Sequence, residues 1–179
     1  MIKVFTGPMF SGKSTALIET YASIWNKETC MCFKPSKDNR DYSRLYSRNI
    51  KKPVDALVVK DIGEIPKILK DNTRTLFIDE IQFLTGDVKV LVDLSVNKDI
   101  DVYVAGLNMT SEQKPFGLMP QVMAVADEIQ ICKATCFDCN RPAQYTYCTE
   151  NKTEEILVGS KEYIPLCKTC LNKRNGGML

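Results

Sequence analysis

The sequence contains no histidine. That absence excludes Ser-His-Asp hydrolysis, Cys-His proteolysis and every metal site built on imidazole. A general base in this chain must be a carboxylate, or less readily a Lys, Tyr or Cys, and a zinc ion must be held mainly by thiolates. Charge of one sign is also scarce. A net charge of +2 gives no reason to expect duplex DNA or an anionic membrane as a partner. Long hydrophobic runs are missing too: stretches such as Val122–Ala126 fall far short of the roughly 20 residues of a membrane span. No internal repeat and no low-complexity segment interrupts the chain. What remains is an ordinary globular composition, 44% hydrophobic and 26% charged over 179 residues, about one domain and a fraction at roughly 150 residues per domain. The chain enters a strand pattern directly from Met1, with no signal peptide, which predicts a cytoplasmic protein.

Cysteine, by contrast, is plentiful at 8 residues. With no sign of export, a disulfide framework is not expected. Four cysteines form two Cys-x-x-Cys pairs, Cys136 with Cys139 and Cys167 with Cys170. Each pair lets two thiolates from one tight turn face a common ion, and two turns complete a tetrahedral structural zinc site. The interval between the pairs is longer than in a usual zinc ribbon, so it must form an excursion of its own. A redox role is the competing reading, disfavoured by two copies close to the C-terminus. Cys30, Cys32, Cys132 and Cys148 read as small buried hydrophobes or free thiols.

Residues 1–133 alternate strand-like and helix-like runs. Strands are expected at Ile2–Thr6, Cys30–Phe33, Ala56–Val59, Leu76–Ile78, Ile100–Ala105 and Glu128–Cys132. Helices are expected at Lys13–Trp25, where Ala16, Leu17, Tyr21 and Ile24 share a face, at Ile62–Leu69 despite Pro66, at Val88–Val96 and at Gly117–Ala126. This alternation predicts an α/β fold with a parallel sheet covered by helices on both faces. Residues 35–55 are polar and aperiodic and read as a long mobile loop. Lys34, Lys37, Arg40, Arg44 and Arg48 there form either an electrostatic cover for phosphates or a solvated charge run. Residues 134–179 read as a separate small zinc module, strand-like at Gln144–Cys148 and Glu155–Val158.

Gly7-Pro8-Met9-Phe10-Ser11-Gly12-Lys13-Ser14 matches G-x-x-x-x-G-K-[ST] in full, directly after a strand and at the opening of a helix. In such a P-loop the backbone N–H groups curl around phosphate oxygens and the helix N-terminus adds positive potential. Lys13 then reaches the β- and γ-phosphates, and Ser14 ligates Mg²⁺. Leu76-Phe77-Ile78-Asp79 is an apolar strand that delivers a carboxylate at its C-terminal end, where open parallel sheets bind ligands. Asp79 is placed to hold the metal through water, as the Walker B residue. Glu80, in a chain without histidine, is the leading candidate to take a proton from an attacking hydroxyl or water. The plainer reading of Glu80 is a solvated strand-end carboxylate.

Taken in order, Gly7–Thr15, Lys34-Pro35 with Asp38-x-Arg40, Phe77-Ile78-Asp79-Glu80-x-Gln82-Phe83, Gly106-Leu107, Lys114-Pro115-Phe116-Gly117, Cys136-x-x-Cys139 and Tyr163-x-x-x-Cys167-x-x-Cys170 resemble the type II thymidine kinases. These are cellular and bacterial deoxynucleoside kinases with a zinc-bearing lasso domain. The resemblance covers essentially the whole chain. It implies a P-loop NTPase-like domain over 1–133, a zinc-ribbon or lasso domain over 134–179, and transfer of a phosphoryl group from ATP to thymidine, with deoxyuridine as a further acceptor. Glu80 would accept the 5′-hydroxyl proton, and Lys13 and Arg40 would assist catalysis. Asp79 and Ser14 would hold Mg²⁺. The nucleotide would contact the P-loop residues, Asp38, Asn39 and Arg40, and the stretch Asp79, Glu80, Ile81 and Gln82. Met9, Leu107, Phe116 and Thr146 resemble the family's thymine pocket, and Ile156, Val158 and Gly159 with Tyr163 its lasso loop. A homotetramer is implied as well. The chain departs from the family pattern at Asn108, Ser111 and an extra Asp41, none of which touches Lys13, Ser14, Asp79 or Glu80.

Two other readings compete. Asp79-Glu80-Ile81-Gln82 also looks like a helicase D-E-x-Q box, which would make a nucleic-acid-dependent ATPase with a zinc ribbon. The length allows one motor core where such enzymes need two, and the near-neutral charge argues against it. A regulatory nucleotide-binding module would bind ATP without turnover and leave Glu80 without a task.

Overall fold

The computed structural model of the chain describes residues 1–36, 44–47, 50, 52–150 and 162–177. Lys37, Asp38, Asn39, Arg40, Asp41, Arg48, Ile156, Val158, Gly159 and the strand expected at Glu155–Val158 lie outside the described residues. Strand β1 (Ile2–Thr6) leads through the P-loop into α1 (Lys13–Ser23), followed by β2 (Cys30–Pro35), β3 (Arg44–Leu45), β4 (Val54–Asp55) and β5 (Leu57–Val59). Next come α2 (Ile65–Ile68), β6 (Thr75–Ile78), α3 (Lys89–Val96), β7 (Asp101–Gly106), α4 (Met119–Ala124) and β8 (Glu128–Ile131). The C-terminal part holds β9 (Ala134–Thr135), β10 (Pro142–Ala143), β11 (Tyr145–Cys148), β12 (Tyr163–Leu166) and α5 (Lys168–Arg174).

Six strands form one sheet in the order β5-β2-β6-β7-β1-β8, and every pairing within it is parallel. Side chains alternate between its faces with the two-residue period of a strand. Val4, Phe33, Leu76, Ile78, Val102 and Val104 point to one face, where α2, α3 and α4 supply Ile65, Leu91, Leu94, Met119 and Val122. Phe5, Cys32, Phe77 and Ala105 point to the other, under Leu17 and Ile18 of α1. Both faces are covered, as a parallel sheet requires, with three helices on one side and one on the other.

The second face needs more cover than one helix provides. It comes from the region expected to be a mobile loop. Strands β3 and β4 pair antiparallel, and Leu45, Val54, Ile50 and Ala56 pack with the α1 cluster. Lys34 differs from expectation in the same way. It lies inside β2, buried, and its ammonium donates to the Arg44 carbonyl at 3.4 Å, so apolar strand pairing rather than solvation sets its place. Arg44 pairs with Asp55 at 3.4 Å on the surface.

Several helices are shorter than their hydrophobic periodicity, each for a local reason. The Lys27 ammonium caps the carbonyls of Tyr21, Ala22 and Ile24, which ends α1 at Ser23 and leaves Trp25 99% exposed. Ile62–Glu64 forms a 3₁₀ turn closed by a reciprocal cap between Asp61 and Glu64. Pro66 then sits in the first turn of α2, where its missing N–H costs nothing. Gly117 has φ +50°, so α4 cannot begin there and starts at Met119.

The C-terminal unit has its own small core of Ala134, Ala143, Leu166 and Leu171 around the four paired cysteines. Two antiparallel pairs, β9 with β10 and β11 with β12, frame it. Among the described residues no helix is long and apolar enough to cross a membrane.

Candidate functional site

All six parallel strands end on one edge of the sheet, and the chemistry-bearing motifs leave from there. The P-loop follows β1. Its backbone passes through left-handed conformations at Phe10 (φ 65°) and Gly12 (φ 83°), and no described side chain caps the first turn of α1. A helix N-terminus after such a loop favours an anionic ligand. Lys13 is buried. Its ammonium donates to the Pro8 carbonyl at 2.7 Å and reaches Ser11 Oγ at 3.5 Å, so the cation is held within its own loop.

Asp79 follows Ile78 at the end of β6, with its N–H still on the ladder to the Phe33 carbonyl at 3.0 Å. Its Oδ1 accepts the Ser14 hydroxyl at 3.2 Å and the Glu80 N–H at 3.0 Å. Burial, and then the neighbouring Glu80, push the Asp79 carboxyl up to about 7, against the Ser14 and Glu80 hydrogen bonds and the nearby Lys13 cation. Adjacent ligands on an octahedral Mg²⁺ stand about 2.9 Å apart, so Ser14 Oγ and Asp79 Oδ1 are spaced to serve one ion.

Glu80 turns the chain sharply, with φ 53° and ψ 40°. A left-handed non-glycine residue costs on the order of 1 kcal/mol. The following residue pins it in place: Ile81 is fully buried in the large core and Phe83 N–H bonds back to the Glu80 carbonyl. The Ile81 side chain packs in the core, so only its backbone is left to face the site. The Glu80 carboxylate accepts the Gln82 side-chain N–H at 2.5 Å. Gln82 is itself buried, and its Oε1 accepts the Leu107 N–H at the end of β7 at 3.0 Å.

The residues expected to form a nucleoside pocket fall into two groups. Met9 N–H donates to the buried Thr146 Oγ1 at 2.9 Å, joining the P-loop to β11. Leu107 and Phe116 lie at the end of β7. There the Phe116 N–H bonds to the Asn108 carbonyl at 3.1 Å, and its ring meets Phe83 edge-on at 5.3 Å. Tyr163 is buried in β12, opposite Cys148. Sequence reasoning assigned no task to Gly106, Gly117 or Phe83, although all three lie within the quoted motifs. A glycine ending a buried strand, as Gly106 does, is the signal that could have exposed the first.

The four paired cysteines come together. Their sulfurs lie within 4.8 Å of one another, and Cys139 Sγ is 3.6 Å from Cys167 Sγ. A zinc tetrathiolate with bonds of about 2.3 Å has S···S edges of about 3.8 Å, so the cluster fits that ion. Outer partners are present as well. The Cys167 N–H donates to Cys136 Sγ at 3.2 Å and Arg141 Nε to Cys139 Sγ at 3.4 Å. The Arg141 guanidinium draws the Cys139 thiol down to about 6, favouring the thiolate a metal needs. Arg174 of α5 clasps Asp138 through two bonds of 2.8 and 2.6 Å, tying the helix to the first cysteine turn.

A family model described as thymidine kinase matches residues 1–171. The chain is 35% identical over 176 residues to a thymidine kinase of Pseudothermotoga lettingae, covering 96% of this chain and 95% of the relative. It is 31% identical over 173 residues to one from Mycoplasma mobile, covering 95% and 86%. A thymidine kinase of Mesomycoplasma hyopneumoniae is 34% identical over 178 residues, covering 95% and 94%.

Proposed function

This chain belongs to the thymidine kinase family, and we propose that it transfers the γ-phosphoryl group of ATP to the 5′-hydroxyl of thymidine with Glu80 as the general base. The observation that carries the proposal is the pair Asp79-Glu80 at the end of β6, one carboxylate turned to Ser14 and the P-loop, the other turned to Gln82. Two adjacent carboxylates thereby acquire separate tasks.

On ATP binding Lys13 exchanges the Pro8 carbonyl for β- and γ-phosphate oxygens, while backbone N–H groups between Phe10 and Ser14 surround the phosphates. Ser14 and Asp79 would hold Mg²⁺, which when bound neutralises charge on those oxygens. Glu80 takes the proton of the 5′-hydroxyl as that oxygen bonds to Pγ. The bond from Pγ to the bridging β,γ-oxygen breaks, and ADP leaves with the electron pair. Aligning nucleophile and phosphate supplies much of the acceleration, as expected for a reaction with little covalent work for the protein.

The family resemblance extends the proposal to residues 37–43 and 151–161. Asp38, Asn39 and Arg40 would attend the phosphates, and Ile156, Val158 and Gly159 would cover the nucleoside beside Tyr163. Residues 1–133 would then bind nucleotide, while 134–179, stapled by zinc on Cys136, Cys139, Cys167 and Cys170, would close over thymidine. Met9, Thr146, Leu107 and Phe116 would border the base. A homotetramer in the cytoplasm, with deoxyuridine as a second acceptor, completes the proposal.

A coupled ADP-release assay with Mg-ATP tests it, offering thymidine, deoxyuridine, deoxycytidine and single-stranded DNA separately. ADP release is expected to depend on thymidine. Release stimulated by DNA alone would make the chain a nucleic-acid-dependent ATPase instead. Glu80→Ala is expected to lower kcat by roughly 10²- to 10⁴-fold, the usual worth of a general base, with ATP binding retained. Unchanged turnover in that variant removes Glu80 from its role.

A further inference from the structure

The Gln82 carboxamide lies between two groups that matter to the reaction, and its orientation has one solution. The Leu107 N–H can only donate, so it must face Oε1, at 3.0 Å. That leaves the NH₂ group for the Glu80 carboxylate, at 2.5 Å. The side chain is 3% exposed, so neither bond is readily replaced by water.

Two glycines let the surrounding backbone close on this residue, Gly106 on its side chain and Gly117 on its backbone. A Cβ on Gly106 would stand 2.4 Å from Gln82 Oε1. One on Gly117, which already has φ +50°, would stand 1.9 Å from the Gln82 carbonyl oxygen. Three separate sequence motifs, Asp79-Glu80-x-Gln82, Gly106-Leu107 and Phe116-Gly117, thus converge on one residue. The carboxamide spans from the proton-accepting side of the site to the strand end that carries Leu107.

We infer that Gln82 is a positioning residue that locks the Glu80 carboxylate to the Leu107 N–H, so that the base and the nucleoside-facing end of β7 keep one fixed spacing. This rests on Glu80 being the general base. It assigns Gln82 a task different from contacting phosphate. A nucleophile held by residues near Leu107 would then meet a carboxylate whose distance and rotamer are set in advance. Such pre-positioning matters because small misplacements of a base cost rate steeply.

The test is a double-mutant cycle between Glu80→Ala and Gln82→Met, read as kcat and KM for each substrate. Losing a hydrogen bond to a charged group predicts a fall in kcat of about 10- to 100-fold for Gln82→Met alone. The KM for ATP is expected to stay near wild type. In the Glu80→Ala background the same substitution should change kcat by less than about threefold, because the group it positions is gone. Gln82→Glu keeps the acceptor for Leu107 N–H and removes the donor to Glu80. It is expected to lose kcat while the thymidine KM remains within about threefold of wild type. An equal loss from Gln82→Met in both backgrounds overturns the inference and leaves Glu80 as the base. Glu80→Ala with unimpaired turnover instead overturns the base reading itself. A raised KM for ATP in both Gln82 variants would place Gln82 on the phosphates and overturn the positioning role.

Discussion

Asp79 and Glu80 are adjacent carboxylates with different partners, Asp79 facing Ser14 and Glu80 facing Gln82. Asp79 is enclosed by the end of β6 and the P-loop, and its carboxyl is pushed up to about 7 by burial and by Glu80. A carboxyl raised in the folded state contributes stability that is fully present below its unfolded value near 3.8 and is lost as pH rises through about 7. In Mg²⁺-free buffer the melting temperature is therefore expected to fall between about pH 4 and about pH 7 and to level off above, and Asp79→Asn should flatten that slope. Added Mg²⁺ favours the ionised carboxylate, so it should raise the melting temperature more at the higher pH. Thermal melts across that range check both signs, and an Mg²⁺ effect that does not grow with pH would separate the ion from Asp79.

The elements place these residues through packing that short-range pattern captures only in part. Strand β6 reads as apolar from sequence because it is buried on both faces, with Phe77 stacked on Tyr103 at 5.1 Å on one side and Leu76 and Ile78 in the larger core on the other. The hairpin β3–β4 is different. Its apolar residues are few and separated by charges, so no period stands out, and Leu45 becomes a core residue only because the α1 face of the sheet is otherwise short of cover. Leu45→Ala is expected to cost roughly 2–5 kcal/mol, as at a buried leucine, where a solvated loop position would change stability by under about 0.5 kcal/mol. Urea unfolding of the variant distinguishes the two.

At the scale of the whole molecule, a six-stranded parallel sheet carries the P-loop edge, and a small unit with four clustered cysteines stands beside it. Contact between them includes the Met9 N–H on Thr146 Oγ1, so loss of the C-terminal unit should be felt at the P-loop. Replacing Cys167 and Cys170 with Ser is expected to release the proposed zinc and unfold that unit at a lower temperature than the sheet, because a core that small depends on a metal staple. Metal analysis with calorimetry would show this as zinc loss and an early transition. The thymidine KM should rise more than that for ATP. Full zinc content in the double variant would mean that other residues hold the ion.

By itself the sequence determined the element alternation, the P-loop, the carboxylates after β6 and the four-thiolate site. Each of these depends on neighbours close along the chain: a two-residue or helical period, a turn of fixed length, or a Cys-x-x-Cys spacing that works wherever the second pair arrives. Tertiary structure alone decided what joins segments distant in sequence. It set the parallel order that brings the ends of β1, β6 and β7 to one edge, and the use of Lys34 and Leu45 as interior residues. It also decided that Gln82 connects Glu80 to Leu107 under Gly106 and Gly117. The physical reason is that a side chain's partner across the sheet depends on strand order and register, which no local period encodes.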